Sequence, residues 1–245
     1  MSVAVLLAID STGSMRWVHK TLCENIGSIL QQFDNEGVPA QFSLVGFRDY
    51  QAESSSWLES MDFSSEEDVS EYVTWLSNLK AKGGGGNQAE SSMAGMIHGI
   101  LNFEWPEVKR KVVAIFTDDN PHVPDIGVES WNQIQDVINS NDIAQVHLFV
   151  DEKHEDGYDE LDHFGFQVLR HTLVKDDRTS LEGSIRKFVK VSSAGCGGFG
   201  GDVDLIDRET SENPFDLDVI EPTDSEDSIE SPEDFDPDAN PFDEW

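Results

Sequence analysis

The chain has 245 residues, with 16 Lys plus Arg against 49 Asp plus Glu, a formal net charge of −33. A nucleic-acid-binding surface needs clustered Lys and Arg to neutralise phosphates. The densest basic run here is only Lys109-Arg110-Lys111, so nucleic acid is excluded as a direct partner, and anionic membrane surfaces are disfavoured for the same reason. The acid is unevenly placed: residues 202–245 hold 18 acids and one base, Arg208, for a net of −17, and residues 1–201 carry the other −16. A block so charged repels itself and is expected to be a disordered tail.

In chain order, Val3-Ala4-Val5-Leu6-Leu7-Ala8-Ile9 is a continuous apolar run. Such a run suits a strand buried on both faces of a parallel sheet. It is too short for a secretory leader or a bilayer span, and no run elsewhere approaches the roughly 18 residues a spanning helix needs. Apolar residues at 18, 22, 26, 29, 30 and 33 predict a helix over 15–33, stopped by Gly37-Val38-Pro39. A strand is expected at 41–47 and a helix at 65–80, opened by a capping box of Ser64 with Glu67. After a glycine run come a helix at 89–103 and a second buried strand at 112–116. A helix at 128–139, a strand at 146–150, a short helix near 158–163, a strand at 166–169 and a helix at 180–191 complete the series. The alternation predicts an α/β fold, a doubly wound, mostly parallel sheet with helices on both faces. Residues 1–193 would form this domain, 194–201 a Gly-rich linker, and 202–245 the tail. Trp17, Trp57, Trp75 and Trp105 are expected to pack in or near the core. The two cysteines, Cys23 and Cys196, make no disulfide framework and are expected to be reduced thiols in a cytoplasmic protein.

In open α/β sheets, ligands lie beyond the carboxyl ends of the strands. The loop after the first strand reads Asp10-Ser11-Thr12-Gly13-Ser14. Alternate side chains of a turn can converge, and an acid with two hydroxyls is a set of hard oxygen donors suited to Mg²⁺. The second buried strand ends in Thr117-Asp118-Asp119-Asn120-Pro121-His122, which brings another carboxylate to the same edge. Between these loops lies Gly83-Gly84-Gly85-Gly86-Asn87-Gln88-Ala89-Glu90. Taken alone, the first loop is better read as capping the helix that follows it.

These motifs together resemble the von Willebrand factor A family with a metal-ion-dependent adhesion site. The family's Asp-x-Ser-x-Ser stands here as Asp10-x-Thr12-x-Ser14. The third loop resembles the Thr-Asp-x-x-Pro-His form of one branch, and the second resembles that branch's Gly-Gly-Gly-Asp-x-Pro-Glu, with Asn87 for Asp, Ala89 for Pro, and Glu90 retained. Phe47-Arg48-Asp49-Tyr50 is similar to the aromatic-Arg-Asp stretch of the same branch. The resemblance covers residues 1–192. It implies that Thr12 and Ser14 bind Mg²⁺ (or Mn²⁺ or Ca²⁺) directly. Asp10 and Asp118 would hold it mainly through water, and Asn87 would offer a carbonyl oxygen. The last coordination place would go to a carboxylate of a partner protein, with Asp119 and His122 beside it as partner-facing residues. Asn87 in place of Asp removes one negative charge, which weakens the hold on metal and leaves the ion more attractive to an outside acid. The family analogy suggests AAA+ ATPases or kinase and phosphatase systems as partners.

Other motifs fall away on context. Gly195-Cys196-Gly197-Gly198-Phe199-Gly200 fits the dinucleotide fingerprint but follows a helix, not a strand. Gly83–Gly86 lacks the Lys-Ser/Thr of a phosphate loop, and 151–156 fails the Ca²⁺-loop spacing at Lys153. A metal-dependent phosphohydrolase built on Asp10, Asp118 and Asp119 is the alternative, although no Lys or Arg in the three loops would steady a phosphate. In the tail, Asn213-Pro214-Phe215-Asp216 recurs as Asn240-Pro241-Phe242-Asp243. Phe215 and Phe242 are therefore candidate anchors of a short binding motif. The tail could also compete for the metal site or support self-association, because tethering gives an effective concentration on the order of mM.

Overall fold

The computed structural model describes residues 2–63, 69–83 and 89–194. The chain divides into two units, 1–200 and 201–245, and the described residues belong to the first. Asn87, Cys196, Phe215, Phe242, the capping box at Ser64 and Glu67, the glycine linker beyond Ala194 and the acidic tail lie outside them.

The elements are β1 (Val3–Asp10), α1 (Arg16–Asn35), β2 (Ala40–Phe47), α2 (Tyr50–Glu53), β3 (Leu58–Met61), α3 (Val69–Asn78), β4 (Ala89–Glu90), α4 (Ser92–Asn102), β5 (Arg110–Thr117), β6 (Asn120–Pro121), α5 (Trp131–Ser140), β7 (Ile143–Asp151), β8 (Gln167–Leu173) and α6 (Arg178–Ser193). Two 3-10 stretches, Gly13–Met15 and Glu152–His163, link β1 to α1 and β7 to β8. The protein is thus a mixed α/β structure with one six-stranded sheet in the order β3-β2-β1-β5-β7-β8. Every pairing in it is parallel except that of β3 with β2. The short β4 and β6 form a separate parallel pair.

β1 is the middle of this arrangement, and all eight of its residues are buried. Side chains alternate across a strand, so Val3, Val5, Leu7 and Ile9 enter one apolar cluster and Leu6 and Ala8 the other. The first cluster contains residues of α1, α3 and α6, and the second contains residues of α4, α5 and the 152–163 stretch. Helices therefore cover both faces, which is why β1 and β5 read as unbroken apolar runs. Trp17 and Trp75 pack against the first cluster, and Trp57 and Trp105 against the second. α1 stops at Gly37, whose φ of +70° suits a residue without Cβ. At Gly99 of α4 an added Cβ would stand 2.7 Å from Leu6, so glycine lets this helix lie close on the sheet.

Several boundaries differ from the sequence expectation. The helix expected at 89–103 starts only at Ser92, because Ala89 and Glu90 pair with Asn120 and Pro121. The short helix expected near 158–163 is a longer 3-10 stretch, and the last strand runs on to Leu173. α2 and the antiparallel edge strand β3 have too few residues for a periodic signal. Among the described residues no helix is long and apolar enough to cross a membrane.

Under α6 lie two buried histidines. His147 Nδ1 is 3.0 Å from His171 Nε2, its Nε2 is 3.3 Å from Ser192 Oγ, and the rings stack at 5.3 Å. Burial, aided by the charge of His171, pushes His147 down to about 3, and burial, aided by Lys187, pushes His171 to about 4. The unfolded chain takes up protons near the ordinary value of 6.5, whereas the folded chain does not. Stability contributed by the pair is therefore full above that pH and declines below it, by at most about 1.4 kcal/mol per pH unit per histidine. Chemical denaturation from pH 7 to 4.5 should show the wild type losing stability relative to a His147→Phe/His171→Phe double variant; parallel curves would refute this.

Candidate functional site

The carboxyl ends of β1 and β5 adjoin at the point where the chain order reverses across the sheet, β2 lying to one side of β1 and β5 to the other. Such a switch point opens a crevice between diverging loops. Asp10, the last residue of β1, is fully buried there. Its Oδ1 accepts the Thr12 N–H at 2.8 Å and its Oδ2 accepts the Thr117 hydroxyl at 3.0 Å. One carboxylate thus joins the first and third loops. Burial raises its pKa to about 7, against the lowering effect of the Thr12 hydrogen bonds, with Asp118 raising it further.

The hydroxyls of Thr12 and Ser14 are 3.1 Å apart, and Ser14 Oγ donates to Asp118 Oδ1 at 3.1 Å. Thr12, Ser14 and Asp118 therefore present a connected row of oxygens from loops 104 residues apart in sequence. The helix-capping role open to the first loop is not what these hydroxyls do, since Thr12 stands at the cap position without a side-chain cap hydrogen bond. Asp119, the next residue, is engaged elsewhere. Its Oδ1 accepts the Asn120 N–H at 2.8 Å and lies 3.9 Å from His154 Nδ1, and burial raises its pKa. Its carbonyl accepts the hydroxyl of buried Tyr158 at 3.1 Å, and that hydroxyl also meets Ser92 Oγ at 3.0 Å. His122 Nε2 sits 3.5 Å from Asp49 Oδ1, so His122 belongs to the walls of the site. Asn87 lies outside the described residues.

Two residues named in the sequence only as parts of motifs prove central. Arg48 is 1% exposed. Its guanidinium donates to the carbonyls of Ser11 (3.3 Å), Ser56 and Lys80 (3.0 Å) and to Glu59 Oε1 (3.0 Å). It fastens the first loop to the segment before the glycine run, a junction also closed by Lys82 N–H to Ser11 O and Gly13 N–H to Gly83 O. Glu90 is 4% exposed, and its Oε2 has no hydrogen-bond partner. Burial and the charges of Asp10, Asp49, Asp119 and Asp118 raise its pKa to about 9. The only signal for either was its place in a motif, because burial of a charged residue is invisible in sequence.

The site is thus rich in negative oxygens and poor in compensating charge. Among the described residues no three His, Cys, Asp or Glu side chains are arranged to hold a metal ion. A site built on the Thr12 and Ser14 hydroxyls would need only the two acids Asp10 and Asp118 beside them. Burial is the main cause of the raised Asp10 and Glu90, and hard oxygen donors such as the Thr12 and Ser14 hydroxyls and the Asp118 carboxylate fit a divalent ion such as Mg²⁺ or Ca²⁺.

No protein-family model matches the chain, and no curated protein matches it. Solved structures do. The pilus adhesin SpaC from Lactobacillus rhamnosus GG is similar with a TM-score of 0.51 and 13% identity, over 78% of this chain and 30% of that one. The same adhesin in an open conformation gives 0.51 and 10%, over 78% and 30%. Proximal thread matrix protein 1 of the mussel byssus gives 0.51 and 12%, over 79% of this chain and 47% of that one. The chain spans less than half the length of each. At such identities the likeness is one of fold, a mixed α/β sheet covered by helices.

Arg48 should be the most sensitive structural residue of the site. Arg48→Met removes the donor from the Ser56 and Lys80 carbonyls and Glu59 and one of two donors from the Ser11 carbonyl, at a cost of about 3 kcal/mol or more. Thermal unfolding should fall by about 6–12 °C; a change under about 2 °C would show that the loops hold without it.

Proposed function

We propose that residues 1–193 are a doubly wound von Willebrand factor A-type module that binds a divalent cation, Mg²⁺ by preference, and uses it to grip a carboxylate on a partner protein. The observation that carries this is the meeting of Asp10, Thr12, Ser14 and Asp118 at one end of the sheet, with hydroxyls in contact with a carboxylate. Thr12 and Ser14 would hold the ion directly and Asp10 and Asp118 mainly through water. Mg²⁺ keeps several waters and demands oxygen ligands, so neutral hydroxyls leave it electrophilic towards an outside acid. The bound ion supplies the attraction for that acid. The chain supplies placement: Asp10 fixes the first loop to the third, and Arg48 fixes the first loop to the segment before the glycine run. The role is binding and not catalysis. A phosphohydrolase on the same acids would need Asp119 free to act, yet its carboxylate accepts the Asn120 N–H. The partner is an acidic protein segment in the cytoplasm, such as one on an AAA+ ATPase or a kinase system, with Phe215 and Phe242 as further anchors.

Thermal unfolding in Mg²⁺ against EDTA tests the metal. A ligand at 100 times its dissociation constant stabilises by about 2.7 kcal/mol, so melting should rise by several degrees, and Asp118→Ala and Thr12→Val should erase the rise. Equal melting in Mg²⁺ and EDTA would refute the proposal. Capture of an acidic partner should in turn be lost in EDTA.

A further inference from the structure

This chain of net charge −33 carries a hollow whose rim is basic. It lies between α1 and the segment that leaves α3, and its volume is about 420 Å³, the size of a small binding site. Arg16 and Lys20 stand one turn apart on α1, and Lys80 belongs to the other wall. All three are exposed. Leu76 and Leu79, both buried, give the same hollow an apolar part. Charge and apolar surface thus occur together at a point outside the crevice of Asp10 and Asp118.

The cations are not neutralised by their surroundings. Glu24 is the acid of this wall. Its carboxylate is held by Arg178 of α6, and Lys20 Nζ lies 3.9 Å from it, an exposed pairing that binds Lys20 only weakly. Arg16 Nη2 donates to the Ala81 carbonyl at 3.4 Å. Among the described residues neither Arg16 nor Lys80 forms an ion pair. His19, on the same wall, has its pKa lowered by burial and adds no charge at neutral pH. The hollow also abuts the first loop. Arg16 follows Ser14 by two residues, and Ala81 leads into Lys82 and Gly83, whose backbones are bonded to Ser11 and Gly13.

We propose that this hollow is a docking site for an acidic protein segment, its carboxylates meeting Arg16, Lys20 and Lys80 and an apolar side chain lying against Leu76 and Leu79. A molecule of this net charge repels acidic partners at long range, and a local reversal of sign fixes where one can touch it. Both features of the occupant follow from the walls. An inorganic anion would leave the leucines uncovered. A nucleic acid or an anionic membrane would have to spread over a far larger part of an acidic surface. The site works without the cation proposed above. A partner engaging both would place one carboxylate at Thr12 and Ser14 and its neighbours along α1.

The test is fluorescence polarisation of a labelled synthetic peptide, Glu-Glu-Leu-Glu-Glu-Leu-Glu-Glu, with the full chain in EDTA, which takes the cation site out of the measurement. At about 0.1 M salt, where charges beyond about 10 Å are screened, the wild type should bind it. The same peptide with Gln for every Glu should bind about tenfold more weakly or less. Lys20→Glu/Lys80→Glu should weaken binding of the acidic peptide by about tenfold or more. Lys153→Glu/Lys175→Glu makes the same change of charge at exposed positions after β7 and β8 and should stay within about twofold of the wild type. Ser77→Trp alters no charge but fills the hollow from an exposed position on its wall, and it should also weaken binding by about tenfold or more. Circular dichroism checks folding, and if Ser77→Trp does not fold, the two double variants decide. Equal binding of both peptides, or an equal loss in Lys153→Glu/Lys175→Glu, would overturn the site in favour of a general field. Failure of the wild type to bind the acidic peptide overturns it too; if Lys20→Glu/Lys80→Glu then changes the sedimentation of the chain, the occupant is a second copy of this chain and not a partner. Because EDTA is present throughout, failure of this site leaves the cation proposal standing, and failure of that one leaves this site.

Discussion

One carboxylate organises this molecule. Asp10 ends the central strand in full burial, and its two oxygens are shared between the Thr12 N–H of its own loop and the Thr117 hydroxyl at the end of β5. Because β1 and β5 are parallel neighbours in register as far as Ile9 and Phe116, one residue short of their ends, these loops leave the sheet side by side. The Asp10 hydrogen bonds turn that proximity into a fixed geometry. The contacts of Ser14 with Thr12 and Asp118 follow from it. An acid so placed is costly, which is visible in its raised pKa.

The same economy explains the surrounding shell. Arg48 is buried beside an acidic crevice, yet its hydrogen bonds run outward to the carbonyls of Ser11, Ser56 and Lys80 and to Glu59. It braces the loops and leaves the crevice's own acids uncompensated. Tyr158 holds the third loop from the other side through the Asp119 carbonyl. The first and third loops are thus tied by hydrogen bonds from both sides. The net charge of −33 divides unevenly: about half lies in the C-terminal 44 residues, and the domain's share includes the buried acids Asp10, Asp49 and Glu90.

Fold and site were unequally legible. β1, α1, β2, β5, β7 and α6 announce themselves because each buries a face whose period, continuous or helical, survives in the order of residues. β4 did not, since Ala89 and Glu90 carry no strand pattern and pair only because the third loop passes beside them. For the same reason α4 begins three residues later than its apolar spacing suggests. Asp10, Thr12, Ser14 and Asp118 could be read as one group because their spacing and strand-end positions match a known pattern. Their mutual distances, and the turning of Asp119 towards Asn120 and His154, depend on the packing of loops far apart in the chain.

Local order of residues was therefore enough for the class of fold and for the strand ends at which Asp10 and Asp118 stand, because burial on two faces is written in short stretches. It was not enough to single out Arg48 as the brace or Glu90 as the orphan. Whether a charged side chain is partnered is settled by segments tens of residues away, and these meet only when β1, β2 and β5 are laid side by side.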